Sequence, residues 1–113
     1  MSTHEPAFTL DYLVFDVSED TDDVHTFDAL ASVQAGQRAA VEAEVSKVRN
    51  WCRQRFPLGP GPLEHGLDWD EDHHWRVEPP TGGANAWHTM ALTLTGTPAF
   101  AQAFREAFSD ALQ

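Results

Sequence analysis

Five apolar residues, Val41, Val45, Val48, Cys52 and Phe56, stand 4, 3, 4 and 4 positions apart. That spacing brings side chains back to one side of an α-helix, whereas a strand would throw Val45 and Val48 to opposite faces. The spacing predicts a helix over 34–56. Ser32 is its expected N-cap, a hydroxyl that accepts from an unpaired backbone N–H. Arg49, Arg53 and Arg55 fall in the last turns, where positive charge suits the helix dipole. Pro57 stops the helix, because the residue before a proline is pushed out of the α region. The prolines and glycines from Pro57 to Pro62 then exclude regular structure. A long helix thus sits in the middle of a chain of 113 residues, and everything else must fold around it.

The flanks alternate with a period of two, the mark of strands. Residues 8–17 place Phe8, Leu10, Tyr12 and Val14 on one side and Phe15 and Val17 on the other. The acidic stretch Ser18–Asp23 breaks this strand as a turn, since short polar side chains satisfy nearby backbone groups. Residues 24–33 read as a second strand. They echo a later stretch: His25-Thr26-Phe27-Asp28-Ala29-Leu30 resembles His88-Thr89-Met90-Ala91-Leu92 with one residue deleted.

Residues 57–72 read as a long connection, and residues 73–79 as a short strand. Pro79–Asn85 reads as a turn. Residues 86–95 read as a strand with His88, Met90, Leu92 and Leu94 inward and Trp87, Thr89, Ala91, Thr93 and Thr95 outward. Thr97-Pro98 opens a helix, a hydroxyl cap followed by a proline whose missing N–H costs nothing there. Phe100, Phe104 and Phe108 give that helix an apolar stripe nearly to the C-terminus.

The order is ββαββα. The fold class is α+β, a two-layer single domain over 1–113 with 1–7 as a loose tail. One antiparallel four-stranded sheet carries both helices on one face, since each amphipathic helix needs a sheet to cover. The alternative order is βαββα, if residues 24–33 join the first helix.

Charge narrows the function. There are 18 acids against 7 bases, a formal net charge of -11. Nucleic acid and anionic membrane surfaces are poor partners for such a chain, since both need clustered Lys and Arg. The charge is unevenly spread. Residues 1–33 carry net -8 and residues 57–79 carry -5, while residues 34–56 carry +3. The bland reading is solubility and pairing of the basic helix with its neighbours. The sharper reading is an acidic face for a cationic partner. Lone Cys52 excludes an intramolecular disulfide. With no signal-like N-terminus and no long apolar run, a cytoplasmic location is expected.

Motifs for chemistry are scarce. Asp68-Trp69-Asp70-Glu71-Asp72 opens like a calcium loop, but His73 stands where the turn needs Gly and Pro79 where it needs a bidentate Glu. Neither a zinc ligand set, a nucleophile turn nor a phosphate cradle is present. Cys52 lies in the apolar stripe and reads as a packing thiol. His25 and His88 are ordinary half-buried histidines or, in the functional reading, a pH-responsive pair. No catalytic residue, metal ligand or cofactor is assigned. Trp51 is expected in the core, and Trp87 on the uncovered sheet face.

The expected function is a small acidic, non-enzymatic interaction domain, inhibitor-like or regulatory, that binds a basic protein. Its contact residues are Glu19, Asp20, Asp22, Asp23, Asp68, Trp69, Asp70, Asp72 and Trp87. The alternatives are a homodimeric structural module and a divalent-metal or small-molecule site around 64–74.

Overall fold

The helical stripe holds. In a computed structural model that describes residues 8–79 and 85–113, helix α1 spans Ala35–Arg55. It buries Val41, Val45, Val48 and Cys52. Around it lie strands β1 (Phe15–Glu19), β2 (His25–Val33), β3 (Trp69–Glu78) and β4 (Trp87–Gly96). Helix α2 spans Pro98–Ala107. The loose tail expected at 1–7 lies outside the described residues, as does most of the turn expected at 79–85.

The strands form one antiparallel sheet in the order β1-β2-β4-β3. The order ββαββα is therefore realised, and residues 24–33 are strand rather than helix. The echoing strands β2 and β4 are the central pair. His25 lies beside Gly96 and Val33 beside His88.

Both helices cover one face. Phe15, Phe27, Ala29, Met90, Leu92 and Leu94 point into that layer and are buried. Phe100, Phe104 and Phe108 of the second half meet them, with Trp51 edge-on to all three at ring-centroid separations of 5.4–6.3 Å. Thr97 caps α2 as the sequence predicts, its hydroxyl accepting from the Phe100 N–H at 3.3 Å. Ser32 does not cap α1. Gln34 occupies that position without a side-chain bond. Ser32 stays in the β2–β4 ladder, its hydroxyl 2.8 Å from that of Thr89. Strand pairing there outcompetes the cap.

The first strand is shorter than its alternation suggests. Residues 8–14 leave the sheet and cross to the helices. Phe8 stacks on Phe108 at 4.8 Å. The N–H groups of Asp11, Tyr12 and Leu13 all donate to the carboxylate of Glu44 on α1, at 2.7, 3.0 and 3.1 Å. Three successive N–H groups reach one carboxylate only where the chain bends, so alternation gives way to an anchor.

The opposite error affects β3. It is ten residues long and starts at Trp69, so residues 69–72 are strand and not loop. Alternation explains the charge it tolerates. Asp70 and Asp72 face outward, and inward-pointing Glu71 meets α1. Arg49 donates to it at 2.6 and 3.1 Å, and Arg53 at 3.1 Å.

The two sheet edges differ. On β1, the Phe15 carbonyl accepts from the Gln113 N–H at 2.9 Å, and Leu112 bridges alongside. On the ten-residue β3 the Trp69 carbonyl accepts from the Gly61 N–H, and among the described residues no other chain segment pairs with the main chain of its outer edge. Among the described residues no helix is long and apolar enough to cross a membrane.

Candidate functional site: the open sheet face

With both helices on one side, no helix among the described residues covers the other face of the sheet. Alternation dictates its residues. They are Asp16 and Ser18 of β1, and Thr26, Asp28, Leu30 and Ser32 of β2. Strand β4 adds Trp87, Thr89, Ala91, Thr93 and Thr95, and β3 adds Asp70, Asp72, His74, Arg76 and Glu78. The face is rich in hydroxyls and carboxylates, with Leu30 and Trp87 as its exposed apolar points.

One row crosses the whole sheet. Asp16 lies directly opposite Asp28, Asp28 opposite Thr93, and Thr93 opposite Asp72. Thr93 donates to Asp28 at 2.7 Å. Among the described residues neither Asp16 nor Asp28 has a cationic partner. Like charges directly opposite on neighbouring strands destabilise a sheet, by about 0.2–1 kcal/mol. The pair therefore works against the fold.

The acidic turn adjoins one end of this face. Glu19, His25, Gly96 and Trp69 share the terminal row, so the turn and the start of β3 lie at the same end of the sheet. The turn is built by Asp20, whose carboxylate accepts from the N–H groups of Asp22 and Val24 at 2.8 and 2.9 Å. Asp23 adopts a left-handed backbone, φ 62°, a conformation that Asp tolerates better than most residues. Glu19, Asp22 and Asp23 are exposed, and Glu19 stands 3.8 Å from His25.

The other expected contact residues divide. Asp70 and Asp72 lie on the open face. Asp68 does not join them freely, since it accepts from the Thr97 hydroxyl at 3.0 Å and ties β3 to α2. Trp69 is corrected outright as a surface contact. It is fully buried, stacked on Phe100 at 6.0 Å, with its indole N–H donating to the Phe56 carbonyl at 3.0 Å. Trp87 is 46% exposed. It flanks a shallow groove with Tyr12, Ser32, Val33, Gln34 and Gln37.

Of the acids suggested as a metal site in 64–74, Asp70 and Asp72 lie on the extended strand β3, and Asp68 is engaged by the Thr97 hydroxyl. Among the described residues no cluster of three or more His, Cys, Asp or Glu side chains is placed to hold a metal. His25 and His88 are not a pair. They occupy opposite ends of neighbouring strands, and His88 faces Arg38 at 2.9 Å. Burial pushes the Cys52 thiol up to about 12, so it remains protonated and unfit as a nucleophile. His73 is held below the usual histidine range, first by burial and then by the Arg49 charge.

Asp16 and Asp28 are the residues that sequence reasoning missed. The signal lies in the hairpin itself: a turn centred on Asp22 sets residue 16 opposite residue 28. No protein-family model matches the chain, and no curated protein or solved structure matches it either.

Proposed function

We propose that this is a small non-enzymatic interaction domain, inhibitor-like or regulatory, that receives a basic protein on its acidic open sheet face. The observation that carries the reading is the Asp16–Asp28 pair. Two carboxylates face each other without a cation, at a cost to stability, on a surface the fold leaves bare. A cationic partner would turn that repulsion into attraction. Glu19, Asp22 and Asp23 extend the acidic surface at one end, with Asp70 and Asp72 beside the row. Trp87 and Leu30 supply apolar contact at a rim otherwise polar, and an exposed aromatic is the common anchor of such interfaces.

The test compares wild type with a triple variant, Asp16→Asn, Asp28→Asn and Asp72→Asn, as bait in extract of the source cells. The expected result is a basic protein retained by wild type near 0.05 M salt, released towards about 0.5 M, and not held by the triple variant. Equal retention of the same partner by both baits overturns the reading.

A further inference from the structure

The free edge of β3 carries its own partner's complement. Main-chain directions along β3 are fixed by two bonds. The Asp68 carbonyl accepts from the Thr97 N–H, towards β4, and the Trp69 carbonyl accepts from the Gly61 N–H, away from it. Strand alternation then turns the main-chain groups of Glu71, His73, Trp75 and Val77 outward. Among the described residues only the Glu71 N–H of this set is met, by the neighbouring Asp70 carboxylate at 2.9 Å. Unpaired edges of this kind are templates for another strand.

We infer that β3 pairs antiparallel with β3 of a second copy, with His73 on the two-fold axis, to give a continuous eight-stranded sheet. The register follows from charge. With His73 opposite itself, Asp70 faces Arg76 of the second copy and Asp72 faces His74. Two-fold symmetry repeats both pairs. Within β3 each such open-face pair then sets a carboxylate against a basic side chain, while Glu78 falls opposite Asp68, which precedes the strand and is held by the Thr97 hydroxyl. The outward main-chain groups of His73, and of Glu71 with Trp75, form the ladder.

Neighbouring registers fail on the same criterion. With His74 on the axis, Asp70 meets Glu78. With Asp72 there, it meets itself. With Trp75 there, Asp72 meets Glu78. A register about Val77 avoids like pairs but needs an N–H from Pro79, which has none. On dimerisation Asp70 exchanges the Glu71 N–H for Arg76 of the second copy, and Arg76 leaves its loose 3.3 Å contact with Glu78.

A contact of one strand per copy is small, so the dimer is weak and concentration-dependent. Sedimentation equilibrium of the full chain from about 5 µM to 500 µM, near 0.15 M salt, reads it directly. The wild-type mass rises towards twice the monomer. Arg76→Asp and Asp70→Arg each weaken association at least tenfold. The combined swap, Asp70→Arg with Arg76→Asp, restores it. A wild type that stays monomeric throughout overturns the proposal, as does a combined swap that fails to restore the dimer. Amide exchange supplies a second reading without substitution. The His73 and Trp75 N–H groups slow as concentration rises, and concentration-independent exchange at both counts against the pairing.

Discussion

Glu44 and Leu13 stand 31 residues apart, yet the carboxylate of one accepts from the backbone N–H of the other at 3.1 Å. Asp11 and Tyr12 join the same carboxylate, and Glu44 is only 8% exposed. A carboxamide offers one acceptor and turns a donor towards donors. Glu44→Gln is therefore expected to cost about 1–3 kcal/mol, measured by urea unfolding. Amide exchange should rise first at residues 11–13. A loss below a few tenths of a kcal/mol would mean water replaces the carboxylate with no penalty.

Glu71 joins β3 to α1 through Arg49 and Arg53. Its side chain is 12% exposed, against 30% and 44% for the two arginines. Arg49 donates through two nitrogens to both carboxylate oxygens, and this bond raises the Arg49 pKa further. Glu71→Ala is expected to cost about 1–3 kcal/mol, while Arg53→Ala costs under about 1 kcal/mol because that contact is exposed. Chemical denaturation of the two variants gives the comparison, and equal losses would contradict the assigned geometry.

Asp16→Asn should do the reverse and stabilise. It removes a like charge from opposite Asp28, and a gain of a few tenths of a kcal/mol is expected at neutral pH. A variant less stable than wild type would show that Asp16 makes a favourable contact instead. Stability gained where binding is lost is the pattern a functional acidic pair should give.

His73 gives a pH dependence with a definite sign. Its pKa is lowered in the fold, so the unfolded chain binds the proton more readily. The stabilisation is complete above the unfolded value of about 6.5 and is lost as pH falls through the lowered folded value. Wild type should therefore lose more stability than His73→Gln between pH 7.5 and 5.5. Parallel urea titrations check this, and equal slopes would remove His73 from the pH response.

Gly96 is held by sterics rather than by backbone conformation. A Cβ at this position would run into the Phe100 ring. Gly96→Ala is expected to cost about 1–3 kcal/mol, the usual penalty for overpacking. A thermal melt within a degree of wild type would show that the ring yields.

The legible parts of the fold were those where one period dominates. The α1 stripe, the Phe100/Phe104/Phe108 stripe and the inward set Met90, Leu92 and Leu94 each answer to a single rule. The misread parts obey two rules at once. Residues 8–14 alternate like a strand, but the N–H groups of Asp11, Tyr12 and Leu13 go to Glu44, a partner 31 or more residues away that no local pattern reveals. Residues 69–72 look like a loop because charge is rare in strands. They form one because the face is open on one side and Arg49 and Arg53 wait on the other. Trp69 was misplaced with them. The acidic surface was half legible: composition marks Glu19–Asp23 and Asp70–Asp72, whereas the Asp16–Asp28 pair emerges only once the hairpin register is drawn.

The Gln113 N–H on the Phe15 carbonyl occupies the start of the β1 edge. Five residues long and met at its first, β1 offers another strand fewer free main-chain groups than the ten-residue β3. Pairing at β3, as proposed above, would use up the longer edge of each molecule. Such a pair would end at either extremity in a short, partly occupied strand, which disfavours growth beyond two.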